Sequence, residues 1–128
     1  VITTPQKVAI ADAQRGLQMF RQPQVNVPIL GIIENMAWFT PAELPENKYY
    51  IFGKDGGKEL AEKFNVPLLG QIPLVQSIRE SGDAGKPAII NQDDITANAF
   101  KQLAESVAQQ VAIRNASLAE TRKVEIKV

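Results

Sequence analysis

Gly31-Ile32-Ile33-Glu34-Asn35-Met36 and Leu69-Gly70-Gln71-Ile72-Pro73-Leu74 decide how this chain is read. Each is a short, largely aliphatic run that closes on polar or turn-forming residues. Runs of this kind predict strands covered on both faces, as in parallel sheets. In open α/β folds, ligands bind at the carboxyl ends of such strands. No strand ahead of them carries a glycine-rich phosphate loop. The pattern is that of the second half of a nucleotide-binding domain.

Outward from these runs, helices alternate with strands. Val1-Ile2 predicts the end of a strand. Thr4 predicts a helix cap with Pro5 in the first position, followed by a helix from Gln6 to Arg21. Ala9, Ala13, Leu17 and Phe20 recur at helical spacing, and Gly16 beside them permits close approach to a sheet. Ile29 to Ile33 predicts a strand, Ala37 to Lys48 a loop, and Tyr49 to Phe52 a short extended piece. Gly56-Gly57 opens a second helix with Leu60, Ala61 and Phe64 on one face and Asn65 as its stop. Pro67 to Ile72 predicts the next strand, and Val75 to Glu80 a short helix ended at Gly82. Lys86 to Ile90 reads as extended. Asp93 or Asp94 caps the longest helix, which runs to Asn115 with Phe100, Leu103, Val107 and Val111 as its buried stripe. Val124-Glu125-Ile126-Lys127-Val128 alternates like an exposed strand at a loosely held end. The expectation is an α/β domain over residues 1–116 with a parallel sheet, and a tail over 117–128.

Length and composition bound the function. The 128 residues suit one domain with a real core. Fourteen basic and fourteen acidic residues give zero formal charge, so nothing draws the chain to nucleic acid or anionic lipid. The sequence has no cysteine and no histidine. Disulfides, thiolate nucleophiles and cysteine-ligated metals are therefore excluded within these residues. A metal held by this chain alone would need oxygen ligands, such as magnesium bound with a nucleotide. No apolar run has the length of a membrane span, and no signal peptide is present, so the expected location is the cytoplasm. A first residue that is Val and already reads as strand predicts an excised part of a longer protein.

Individual motifs admit two readings each. The Asn35 amide can donate to and accept from a purine edge, or it can close the following turn. Pro73 can leave backbone free to face a flat ring, or simply end a strand. Gly53-Lys54-Asp55-Gly56-Gly57-Lys58 fails the phosphate-loop pattern, because Lys58 stands where a glycine is required and no Ser or Thr follows it. Arg79 and Asp83 read as a solvated helix end. Trp38-Phe39 is either a contact patch or a cover over the end of the sheet. No catalytic and no metal-binding residue is assigned.

Taken in order, Thr3-Thr4-Pro5-Gln6, Gly31 to Met36, Ile51-Phe52-Gly53, Gly56-Gly57, Val66 to Gly70, Ile72-Pro73-Leu74 and Ile78-Arg79-Glu80 with Gly82-Asp83 resemble the C-terminal half of the Mrp (ApbC) family of P-loop ATPases. These iron–sulfur cluster carriers are similar to MinD and ParA. The resemblance spans about Val1 to Pro87, with the long helix fitting the family's end. It implies a Rossmann-like three-layer α/β/α fold and a homodimer that uses ATP with Mg. That dimer would hold a [4Fe–4S] cluster and pass it to apo iron–sulfur proteins or assembly factors. Asn35 matches the family's base-recognising asparagine, and Pro73 and Leu74 match the segment along the adenine. The phosphate loop and magnesium-binding acids belong to the N-terminal half, so this chain is not expected to hydrolyse ATP by itself. The family's C-P-x-C would fall within Ala37 to Lys48, where no cysteine stands, which argues against a cluster bridged there.

Two other functions fit the same residues. A MinD- or ParA-like positioning ATPase would keep the fold without the cysteines, but the tail from Thr121 to Val128 is only mildly basic. A non-enzymatic domain would use Trp38-Phe39 to contact a protein partner.

Overall fold

The computed structural model describes residues 1–90 and 95–120. Three parallel strands, β1 (Ile2–Thr3), β2 (Ile32–Phe39) and β3 (Leu68–Leu74), lie side by side in chain order. Helix α1 (Lys7–Phe20) connects β1 to β2, and α2 (Gly56–Phe64) connects β2 to β3. After β3 come α3 (Gln76–Asp83), a 3-10 turn at Ala88–Ile90 and α4 (Ile95–Ser117). The tail expected over 117–128 begins at the last residue of α4. Residues 121–128, and the Asp93 or Asp94 cap, lie outside the described residues.

The apolar positions at helical spacing on α1 and α2 meet on one face of the sheet. Leu17, Ile32, Leu60, Ala61 and Phe64 form the buried core, with Ile10, Ala13 and Leu68 packed partly buried against it. Each fully buried aliphatic side chain there stabilises the fold by about 1.5–3 kcal/mol. The two helices are also tied at their ends. Asn65 adopts a left-handed conformation at φ 50°, and its N–H returns to the carbonyls of Ala61 and Glu62. The Arg21 guanidinium donates to the Phe64 carbonyl and lies 5.1 Å from that ring's centre. The other face of the sheet is covered by α4, which packs on β3. A Cβ added at Gly70 would stand 3.2 Å from Leu103 Cδ1, so helix and strand approach closely there. Helices on both faces of a parallel sheet make a three-layer α/β/α architecture.

Several elements depart from the sequence expectation. Gln6, not Thr4, stands at the start of α1, and it makes no side-chain cap. Pro5 is instead drawn against the glycine-rich loop: a Cβ at Gly56 would sit 2.7 Å from the Pro5 carbonyl oxygen. The Thr4 hydroxyl oxygen is buried without a hydrogen-bond partner among the described residues. Strand β2 continues through Asn35 to Phe39 instead of ending at the polar residues. Met36, at φ 55°, makes this possible by bulging the strand. Asn35 pairs with Ile72 and Phe39 with Leu74, so four steps on β2 match two on β3. Bulges of this kind bend a strand and re-aim its side chains.

Pro73 lies within β3 and does not terminate it. It is tolerated because β3 is the outer strand of the described sheet, where a missing N–H breaks no ladder. Helix α3 runs through Gly82 to Asp83, and Gly85 at φ 65° follows its end. Ala88–Ile90 is a 3-10 turn, not extended chain. The α4 stripe is only half-buried at Phe100, Leu103 and Val107 and exposed at Val111, and the buried residues of that helix are Thr96 and Ala97. Helix α4 meets the sheet chiefly over β3, and its other main contact is the 3-10 turn.

Leu17 is fully buried at the centre of the core. Leu17→Ala is expected to lower unfolding stability by about 2–5 kcal/mol, read as a shift in the urea midpoint at unchanged m-value.

Candidate functional site at the carboxyl ends of β2 and β3

Parallel register aligns Thr3, Glu34 and Gln71 in one row across the three strands. Glu34 is completely buried. Its Oε2 accepts a hydrogen bond from the Gly57 N–H at 2.5 Å, and its Oε1 accepts one from Gln71 Nε2 at 2.8 Å. A buried carboxylate is costly unless its oxygens are satisfied, and both of these are. Gly57 is in the first turn of α2, whose exposed N–H groups and positive dipole end favour an anion. The loop leading into α2 is thus closed by the protein itself. A Cβ at Gly57 would lie 2.8 Å from Glu34 Cβ, so the glycine is required by close approach.

Side chains alternate along a strand, which turns Asn35 to the face opposite Glu34. Asn35 Oδ1 accepts a hydrogen bond from the Met36 N–H at 2.9 Å, the local turn closure anticipated as one of its two readings. That bond fixes the amide and leaves Nδ2 with no hydrogen bond among the described residues. Asn35 stands in register with Ile72, the residue before Pro73. Pro73 is buried and Leu74 half-buried. The three residues singled out in the sequence therefore share one end of the sheet. They do not share one cavity. Pro73 lines a cleft of about 480 Å³ together with Trp38, Phe39, Pro41, Val75 and Thr96, whereas Asn35 and Leu74 do not.

The segment beyond β2 is ordered by its own contacts. Phe39 and Tyr49 exchange two backbone hydrogen bonds of 2.8 Å each. Lys48 Nζ sits 4.0 Å from the Trp38 ring centre, and Asn47 Nδ2 donates to the Tyr49 hydroxyl at 3.3 Å. Trp38 and Phe39 thus border the cleft and also anchor this loop. Glu43 and Glu46 are exposed. Arg79 and Asp83 pair with each other on the exposed side of α3, as a solvated helix end should. Among the described residues, no helix is long and apolar enough to cross a membrane.

Sequence reasoning passed over Glu34 and Gln71 in favour of Asn35. The available signal was a carboxylate directly after an uninterrupted aliphatic run. An acid in that position must be buried with the strand and needs donors, which the Gly56-Gly57 helix start can supply.

Comparison with known proteins follows the geometry. The family model for ParA, described as NUBPL iron-transfer P-loop NTPase, matches residues 1–111. A Synechocystis protein named iron-sulfur cluster carrier protein is 45% identical over 114 residues, covering 88% of this chain and 32% of that protein. A Deinococcus radiodurans protein of the same name is 41% identical over 118 residues, covering 91% and 32%. The chain spans about a third of the length of these relatives. Among solved structures, the septum site-determining protein MinD from Pyrococcus horikoshii, complexed with Mg-ADP, superposes with a TM-score of 0.61 at 26% identity. That match covers 88% of this chain and 42% of MinD.

The close approach at Gly57 is open to test. Gly57→Ala must push Glu34 or α2 aside and is expected to destabilise the fold by about 1–3 kcal/mol, measured by chemical denaturation.

Proposed function

This chain belongs to the ParA/NUBPL family of iron-transfer P-loop NTPases, and from that premise we propose that it supplies the base-facing wall of an ATP-dependent iron–sulfur cluster carrier. In this reading Asn35 recognises the purine edge through its free amide, and Pro73 and Leu74 flank the adenine ring. The observation that carries the reading is the fixed Asn35 amide. Its oxygen is held by the Met36 N–H and its Nδ2 has no partner among the described residues, toward the carboxyl ends of the strands, where α/β folds bind ligands. An oriented donor beside apolar strand-end residues suits a nucleobase, which presents both acceptors and a flat apolar face.

The residues here fit the base and not the phosphates. Gly57 N–H is committed to Glu34, and Gly56 is packed on Pro5, so the glycine-rich loop holds no free cradle. Phosphate and magnesium contacts therefore belong to the other half of the NTPase domain. ATP with Mg supplies the hydrolysable phosphoanhydride when bound. This chain's share is to select and orient the base and to shape the neighbouring surface.

The iron–sulfur cluster is cargo in this scheme. With no cysteine in 128 residues, this chain offers the cluster no thiolate, so cluster ligands come from elsewhere in the protein or from its partners. The working unit we propose is a homodimer in the cytoplasm that delivers clusters to apo iron–sulfur proteins.

In the full-length protein, Asn35→Ala is expected to weaken ATP binding roughly tenfold, the equivalent of one lost hydrogen bond. Calorimetric titration with ATP checks this. Unchanged ATP affinity in the variant, or no adenine-nucleotide binding by the unsubstituted protein, overturns the reading.

A further inference from the structure

We propose that Glu34 is the positioning residue of the base site and couples that site to the segment from Thr40 to Asp55. The inference rests on the base-site reading above and goes beyond it, because Glu34 is completely buried and lies on the face of the sheet opposite Asn35.

Two segments meet on its carboxylate, and a third follows it in the chain. Through the chain, Glu34 fixes Asn35, the next residue on β2. Through Oε1 it holds Gln71, two residues before Pro73 on β3. Through Oε2 it holds Gly57, at the point where the long loop after β2 enters α2. Glu34 is completely buried, so these bonds are shielded from bulk solvent. The same carboxylate therefore sets the spacing of the two strands that carry Asn35 and Pro73, and the docking of α2 beneath them.

The sheet is locally weak just beyond this clamp. Past Asn35 the strand bulges at Met36, and regular pairing with β3 resumes only at Phe39 and Leu74. The orientation of Asn35 thus depends on its fixed neighbour Glu34 and on the Met36 turn. A ligand that favours one orientation of Asn35 also favours the strand spacing at Glu34, and through Gly57 the packing of the loop. Linkage makes the effect reciprocal: a change in the loop alters affinity at the base site by the same factor.

The geometry distinguishes reach from charge. Aspartate keeps the charge but is one methylene short of spanning Gly57 and Gln71 together. Glutamine keeps the reach: its oxygen can accept from Gly57, and Gln71 can turn its amide to face the new donor.

The test uses the full-length protein, with ATP and Mg as the probe. Calorimetry gives the affinity, and hydrogen exchange follows peptides covering residues 40–57 with and without nucleotide. In the unsubstituted protein, nucleotide should slow exchange in these peptides. Glu34→Asp is expected to weaken ATP binding roughly tenfold and abolish that slowing, while Glu34→Gln recovers most of both. Thermal unfolding of each variant establishes that the measured protein is folded.

A Glu34→Asp protein that melts lower yet binds ATP and protects residues 40–57 like the parent gives Glu34 a merely structural role and overturns the proposal. Recovery in neither variant also overturns it, since reach alone would then be insufficient. If the parent binds ATP but its loop exchange does not respond, the coupling fails while the base site stands. If the parent binds no adenine nucleotide, both fall together.

Discussion

A fully buried carboxylate organises this fold. Glu34 sits in the middle strand and takes one hydrogen bond from α2 and one from β3. Its side chain has no surface open to solvent, so each of these bonds is held in a low-dielectric setting. Losing either partner would strand part of a buried anion, at a cost larger than the bond's own net contribution. The dependence runs outward from there. Gly57 has no Cβ because Glu34 occupies that space, and Gly56 has none because Pro5 does. The strand–helix junctions at this end of the sheet are therefore fixed by two contacts that exclude ordinary side chains.

The opposite end of the fold is held in a different way. Leu17, Ile32, Leu60, Ala61 and Phe64 supply non-directional burial, and Arg21 closes the α1 and α2 ends over Phe64. Apolar packing gives the layers their cohesion, and polar bonding at the carboxyl end gives them their alignment. The division suits a binding fold. Chain direction must be exact where a ligand is read, and hydrogen bonds are directional where apolar contact is not.

Much of this was legible in the chain. The two aliphatic runs gave the parallel pair β2 and β3, the apolar spacing gave α1 and α2, and Asn65 gave the stop of α2. What escaped was set by neighbours distant in sequence. Thr4 and Pro5 carry good local helix-start chemistry, but the close approach of Gly53 and Gly56 to Pro5 takes precedence. Pro73 carries a strand-ending signal, yet an outer strand accepts it. Met36 gave no hint of a left-handed conformation, because φ above zero is uncommon for a long side chain and no glycine announced it. Asn35 and Pro73 were singled out from their position after the aliphatic runs. Glu34 was missed because its partners lie at residues 57 and 71, beyond any local window.

The loop after β2 extends the same argument to the cargo. In the family that the sequence resembles, this is where a cysteine pair ligates a cluster. Here the loop is closed by the Phe39 and Tyr49 backbone pair and by Lys48 over Trp38, a contact of about 0.5–1 kcal/mol at an exposed site. A metal clip would supply far more, but only when loaded. Trp38 and Phe39, held by these contacts, form the aromatic border of the cleft. Pro73 lines the same cleft as Trp38, Phe39 and Pro41, and Phe39 pairs with Leu74, so the loop and the end of β3 touch directly, while Glu34 ties the start of α2 to the same two strands from the opposite face.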